Sequence, residues 1–260
     1  MSRVRLDHEL VKRQMVSSRN GARTAILDGQ VAIDGETAIR PSQQVAPGAD
    51  IKISAEAGRY VGRGALKLKA ALDHFTVDVV GRTAIDVGAS TGGFTDVLLQ
   101  AGASQVVAID VGHDQLHQRL RSDPRVTVVE RANIRYADTD GLGAPFSLVV
   151  ADLSFISLRL LTTVFAGLGD DQSDWILLVK PQFEVGAPEI GKGGVVRSAA
   201  AQGRALNDVA EAFAAAGLVT VGVMASPITG TGGNREALLW LRGSGEQVSS
   251  RKLFKVLGDV

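Results

Sequence analysis

Thr83-Ala-Ile-Asp86-Val-Gly88-Ala89-Ser90-Thr-Gly92-Gly93-Phe94-Thr95 is the stretch whose reading decides the fold. Thr83 to Val87 is a short apolar run with β-branched residues, and it passes through glycines into the start of a helix. A glycine-rich turn there lets a ligand approach the backbone, while the helix N-terminus offers free N–H groups. A nucleoside-bearing cofactor is therefore expected on Asp86, Gly88, Ala89, Ser90, Gly92, Gly93 and Phe94. Dinucleotide enzymes space their glycines G-x-G-x-x-G and seat a pyrophosphate on the helix. Here the order is Asp-x-Gly-x-x-x-Gly-Gly. The acidic residue two before the first glycine suits a cationic ligand, such as the amino group of S-adenosylmethionine, better than a pyrophosphate. Asp110, at the end of the next strand, is placed to accept bonds from ribose hydroxyls, which serves NAD equally well.

Outward from this loop, strand and helix alternate. Gln105 to Asp110, Val126 to Val129, Ser147 to Ala151 and Trp175 to Val179 are further strand-like runs. A helix over Ala199 to Ala216 and strands at Leu218 to Met224 and Glu236 to Leu241 follow. The pattern predicts an α/β fold with a doubly wound, mostly parallel sheet. Before it lies a small α+β module. Leu6, Leu10 and Val11 recur at helical spacing after a candidate cap, Asp7; Ser17 and Ser18 precede a second helix that Gly29 closes. Val31 to Ile33, the turn Asp34-Gly35 and Ile51 to Ile53 read as short strands. The expected division is a module over 1–57, a linker over 58–63, the α/β domain over 64–243 and a tail over 244–260, a polar linker with a short basic helix.

The chain of 260 residues carries 28 Lys+Arg and 28 Asp+Glu, is 45% apolar and has no cysteine. It folds, and it has neither disulfides nor thiolate metal sites. Residues 1 to 69 hold 12 Lys+Arg against 7 Asp+Glu, a net +5, so the remainder is −5. A basic head on an acidic body suits a first part that meets a polyanion. No apolar signal core opens the sequence, and no apolar run approaches the roughly 18 residues of a membrane span, so a cytoplasmic location is expected.

Ligands of open α/β sheets bind beyond the carboxyl ends of the strands. Asp152 ends the fourth strand and Lys180 the fifth, and neighbouring strands would let them meet beside the cofactor loop. Lys67, on a helix before the first strand, and Glu236, at the start of the last, read on their own as solvent-exposed. His113 and His117, four apart on an expected helix, have no third metal ligand, and no metal is expected. Gly186-Ala-Pro-Glu-Ile-Gly191-Lys192-Gly193 nearly spells a phosphate loop but lacks its Ser/Thr, and reads as a mobile loop over the site. Without a G-x-S-x-G elbow or a cysteine, hydrolase chemistry has no support.

Taken together, Arg5-Leu-Asp through Ser18-Arg19 to Gly35, Tyr60-Val-Gly-Arg63-Gly-Ala-Leu-Lys67, the glycine loop, Ala151-Asp-Leu-Ser-Phe-Ile-Ser157, Leu178-Val-Lys-Pro-Gln-Phe-Glu184 and Gly233-Asn-x-Glu236 resemble the TlyA family over nearly the whole chain. That family is named for haemolysins but methylates ribose 2′-hydroxyls of ribosomal RNA. The resemblance implies a class I (Rossmann-like) FtsJ-like methyltransferase domain behind an RNA-binding domain like that of small-subunit ribosomal protein S-four. It implies S-adenosylmethionine as cofactor, touched also by Asp152, and a catalytic tetrad of Lys67, Asp152, Lys180 and Glu236. Two departures stand out: Gly62 where many relatives have Ser, and Leu66 where some have His.

The implied partner is ribosomal RNA in ribosomal subunits, at cytidines, gripped through phosphates by Arg5, Arg19, Arg23 and Arg63. No membrane or obligate protein partner is expected. A ribose hydroxyl is a poor nucleophile, so a general base must take its proton. Lys180 is the candidate. It must first be uncharged, which desolvation and a nearby cation, Lys67, favour. Asp152 and Glu236 would orient the lysines. The rival readings are a membrane-active haemolysin, which the absence of an apolar segment opposes; an RNA-binding adaptor without activity, which the intact tetrad opposes; and an NAD-dependent dehydrogenase, which the glycine spacing opposes.

Overall fold

Two short amphipathic helices organise the N-terminal unit. The computed structural model describes residues 3–16, 18–27, 30–38, 40–53 and 60–258, which divide into two units, 1–65 and 66–260. In the first, β1 (Val4–Arg5) leads into α1 (Leu6–Lys12), followed by α2 (Arg19–Leu27), β2 (Val31–Ile33), β3 (Glu36–Thr37), β4 (Gln44–Val45) and β5 (Ile51–Ile53). β1 pairs with β4, and the other strands form a sheet of order β3-β2-β5. Leu6, Leu10, Ile26, Val31 and Ile51 fill the core between helices and sheet. Asp34 and Gly35 both have positive φ, +51° and +88°, as a two-residue hairpin turn between β2 and β3 requires.

The cap of α1 differs from the expectation. Arg5 is the N-cap, and Asp7 is the second residue of the helix, within its first turn. Its buried carboxylate accepts from both the Nε and Nη2 of Arg5, at 3.0 and 2.8 Å, and from the His8 amide at 3.0 Å, so it serves the first turn from inside the helix while holding Arg5. Ser18 accepts a bond from the Gly21 amide at 3.0 Å and caps α2. Ser17 and Gly29 lie outside the described residues.

The second unit runs through α3 (Ala65–Phe75), β6 (Thr83–Val87), α4 (Gly93–Gln100), β7 (Gln105–Ile109), α5 (Gln118–Arg121), β8 (Val126–Val129), α6 (Thr139–Leu142), β9 (Leu148–Ala151), α7 (Thr162–Ala166), β10 (Asp174–Val179), α8 (Pro181–Glu184), α9 (Ala199–Ala215), β11 (Val219–Ala225), β12 (Ala237–Arg242) and α10 (Ser250–Val256). Seven strands form one sheet of order β11-β12-β10-β9-β6-β7-β8, parallel from β10 to β8, with β12 antiparallel to both its neighbours. Every residue of β9 and β10 is buried. Such central strands are covered on both faces, which is why their sequences are continuously apolar and do not alternate. The chain passes from β6 outward to β8 and returns to β9 on the other side of β6, so strand order reverses between β6 and β9. That reversal opens the crevice where ligands of such sheets bind.

The tail is part of this core. Leu253 and Leu257 of the α10 region join the main apolar cluster, and Gly203 of α9 leaves room for Phe254, whose Cα would lie 3.0 Å from a Cβ there. The Val248 amide donates to the Thr220 carbonyl at 2.8 Å, which ties the approach to α10 onto β11. Leu253→Ala is expected to destabilise the protein by about 2–5 kcal/mol, the usual cost of such a cavity, read as a shift in the urea midpoint at unchanged m-value.

Candidate active site

The parallel pairing of β9 with β10 brings the two strand-end residues together. Asp152 Oδ1 lies 2.7 Å from Lys180 Nζ, and Lys180 also donates to Ser154 Oγ at 2.7 Å. On the other side of Asp152, Oδ2 is 3.8 Å from Lys67 Nζ, which in turn lies 2.6 Å from Glu236 Oε2. The four residues form one alternating chain of charges, Lys180, Asp152, Lys67 and Glu236. Contrary to the exposure that each would have alone, the Lys67 and Glu236 side chains are 6% and 2% exposed. Burial of either charge unpaired would cost several kcal/mol, so each makes the other possible. Glu236 immediately precedes β12 and packs against Gly230 so closely that any Cβ at 230 would overlap its carboxylate.

The glycine loop completes the site. Gly88 has φ +86°, and a Cβ on it would stand 2.9 Å from the Asp152 carbonyl. The ends of β6 and β9 therefore touch, and beside them lies a cavity of about 470 Å³, in the size range of small-molecule sites. Gly88, Ser90, Asp110 and Asp152 line it, as the sequence suggested, together with Gln115, Asn133, Ser154 and Phe155. Asp110 accepts from the Ser90 and Gly112 amides at 2.8 and 2.6 Å, which fixes its carboxylate at the wall.

Ala89, Gly92, Gly93 and Phe94 shape the loop without lining the cavity, and Asp86 sits beneath it. Asp86 is fully buried. One oxygen accepts from the Thr95 amide and hydroxyl at 2.8 and 2.7 Å, and the other has no partner. Burial pushes its carboxyl up to about 7, against the pull of Thr95. A nucleoside with a cationic group fits this set: backbone bared at Gly88, a polar wall and an unpartnered acidic oxygen behind the loop.

Asn133 and Gln115 are cavity residues that the sequence reading missed. Asn133 lies four residues beyond the end of β8, on the same carboxyl-end side of the sheet as Asp110 after β7, so the strand-end rule pointed to its loop but not to the residue. Phe155 carried none: it is 91% exposed at the cavity wall, with φ +66°, a strained conformation for an aromatic residue.

His113 and His117 are not on a helix. His113 pairs with Glu130 at 3.0 Å, and His117 caps α5 by accepting from the Arg119 amide. Among the described residues no group of three His, Cys, Asp or Glu is arranged to hold a metal. The loop over 191–195 is anchored at its end: Asn234 accepts from the Val196 amide and donates to the Gly194 carbonyl, at 3.0 and 2.9 Å.

In the N-terminal unit, Arg5, Arg19 and Arg23 border a hollow of about 430 Å³ with Asn20 and Ser42. Asp7 holds Arg5 at 2.8 Å and Arg19 at 3.8 Å, and the Arg5 guanidinium keeps the Asp7 carboxyl below its ordinary range. Arg63 lies outside this hollow, on the segment before α3, and is partly buried.

The fold and site define a Rossmann-like methyltransferase domain behind a basic binding module. Residues 60–243 match the FtsJ-like methyltransferase family and residues 4–51 the S4 domain. A Mycobacterium tuberculosis protein named 16S/23S rRNA (cytidine-2′-O)-methyltransferase TlyA is 45% identical over 96% of this chain and 94% of its own length. A solved Streptococcus thermophilus structure described as a hemolysin is 37% identical, with TM-score 0.77, over 99% of this chain and 95% of its own. An S-adenosylmethionine dependent methyltransferase from Mesorhizobium loti, 15% identical with TM-score 0.51, over 69% of this chain and 99% of its own, shares the fold. The chain belongs to the TlyA family of FtsJ-like methyltransferases.

Asp86 makes a pH prediction. Its carboxyl is raised from 3.8 to about 7, so the folded state holds a proton that the unfolded state releases between those values. Its contribution to stability is full below pH 4 and falls by up to about 4 kcal/mol as the pH rises through 7. Asp86→Asn, which cannot ionise, is expected to flatten that part of the profile. Urea midpoints of both proteins at pH 5 and pH 8 check this.

Proposed function

We propose that this protein transfers a methyl group from S-adenosylmethionine to the 2′-hydroxyl of a cytidine ribose in ribosomal RNA. The observation that carries the reading is the chain of Lys180, Asp152, Lys67 and Glu236, buried at Lys67 and Glu236, whose Asp152 lines a nucleoside-sized cavity. The Mycobacterium tuberculosis relative, named for this activity, supports the reading.

S-adenosylmethionine supplies an electrophilic methyl group. Gly88, Ser90, Asp110, Asn133 and Asp152 hold it in the cavity, with the loop shaped by Asp86, Ala89, Gly92, Gly93 and Phe94. Lys180 Nζ, bonded to the cavity-lining Asp152 and Ser154, first gives up its own proton to solvent and then, as the free amine, takes the proton from the ribose hydroxyl as that oxygen becomes a nucleophile. Asp152 and Ser154 fix the direction of Nζ. Lys67, neutralised by Glu236, holds the far oxygen of Asp152 and so orients the pair. Alignment of the attacking oxygen contributes several kcal/mol to the rate. Phe155, exposed at the wall, offers a stacking face to a base swung out of a helix, worth about 1–3 kcal/mol. Arg5, Arg19, Arg23 and Arg63 contact phosphates, which give affinity and register without reading the base. Such a substrate places the protein in the cytoplasm, on ribosomal subunits.

Among the described residues no helix is long and apolar enough to cross a membrane. An adaptor without activity would bind cofactor and RNA and transfer nothing. Unmethylated ribosomal subunits with labelled S-adenosylmethionine decide between these readings. Wild type is expected to leave a 2′-O-methyl cytidine, located by ribose-specific cleavage resistance. Lys180→Ala is expected to lose at least about 10²-fold in rate with cofactor affinity unchanged. Arg19→Ala is expected to weaken RNA binding and lower the salt slope of log K by about one. Tight cofactor binding with no transfer to either subunit would defeat the enzyme reading.

A further inference from the structure

The loop leaving β9 carries Asp152, and the single turn of α8 begins just after Lys180. Two polar ties join these segments, beside the packing of Phe155 on Phe183 at 5.3 Å between ring centroids. The first tie, Lys180 to Ser154, lies in the site. The second lies outside the cavity lining. Glu184, at the end of α8, accepts from Ser157 Oγ at 2.5 Å through Oε2 and from the Leu158 amide at 2.8 Å through Oε1. Arg159 closes the arrangement: its Nη2 donates to the Glu184 backbone carbonyl at 2.8 Å, and its Nε stands 3.4 Å from Oε2.

Glu184 is 6% exposed, and a carboxylate buried to that degree is costly unless its oxygens are satisfied. The Asp152 loop satisfies both. Burial pushes the Glu184 carboxyl up, while the bonds from Ser157 and Leu158 pull it back. Ser157 has its own place in the backbone, capping the turn over Leu158–Leu160 by accepting from the Arg159 amide at 3.2 Å. The α8 turn has only four residues, with Lys180 as its N-cap, and so short a helix holds no shape without tertiary contacts. The end of β10 and the packing of α8 on α9 fix where this turn begins and lies, and the contact with the neighbouring loop holds its far end against the segment that carries Asp152.

We propose that Glu184 is a positioning residue for methyl transfer, which, through Ser157 and the Leu158 amide, locks the Asp152 loop to the Lys180 turn and maintains the Asp152–Lys180 contact. The inference rests on the catalytic reading of Asp152 and Lys180 given above. A glutamine at 184 preserves an acceptor for Leu158 and a partner for Ser157, whereas alanine removes both bonds. Ser157→Ala removes a single hydroxyl and leaves the core intact.

The test uses the full chain as wild type, Ser157→Ala, Glu184→Ala and Glu184→Gln, with two readouts. In the first, a trace of acetic anhydride labels lysines in the absence of RNA and cofactor, and mass spectrometry compares Lys180 with the exposed Lys192. Lys180 labelling is expected to rise at least threefold in Ser157→Ala and Glu184→Ala while Lys192 stays constant, and to return towards wild type in Glu184→Gln. In the second, kcat for methylation of ribosomal subunits is expected to fall tenfold or more in the two disrupting variants, with KM for S-adenosylmethionine within twofold of wild type and recovery in Glu184→Gln. Unchanged Lys180 labelling, or unchanged kcat, in folded Ser157→Ala overturns the proposal. If Glu184→Ala does not fold, Ser157→Ala decides. A wild type that transfers no methyl defeats the catalytic reading alone, because labelling still reports whether the tie holds Lys180.

Discussion

Lys67 and Glu236 are buried against each other, and much of the site's geometry follows from that pair. An ammonium without its carboxylate, or the reverse, would cost several kcal/mol in that position. α3, which carries Lys67, and the approach to β12, which carries Glu236, are therefore held together at 2.6 Å. Lys67 reaches on to Asp152, and Asp152 to Lys180. Four side chains from four elements thus answer to one electrostatic requirement, and the site exists only once β12 has entered the sheet between β10 and β11.

Close packing makes the cavity and this chain of charges parts of one object. The Gly88 backbone passes so near the Asp152 carbonyl that no side chain fits between them. The segment leaving β9 then supplies cavity wall through Ser154 and Phe155, a partner for Lys180 through Ser154 and an anchor for Glu184 through Ser157. A shift of this segment would reach both the cavity and the lysine. In the N-terminal unit, Asp7 plays a comparable part by holding two arginines, whose side chains remain 42% and 64% exposed.

The sequence by itself determined the alternation of strands and helices, the glycine loop at the head of the sheet, and the placement of Asp152 and Lys180 at neighbouring strand ends. Each of these rests on short-range pattern: apolar runs, turn chemistry and the rule that function gathers at carboxyl ends. Lys67 and Glu236 became visible only through family resemblance, since nothing local to either residue predicts burial. The same limit explains Asp7, drawn into α1 by Arg5, and His113 and His117, which a four-residue spacing suggested were on a helix but which lie in the chain before α5. Only the tertiary structure decided that Asp86 lies beneath the cavity, that the tail seals α9, and that Glu184 ties two loops together. A buried charge takes its partner from whatever the fold brings alongside it: 169 positions separate Lys67 from Glu236 and 27 separate Ser157 from Glu184, distances over which local sequence pattern carries no information.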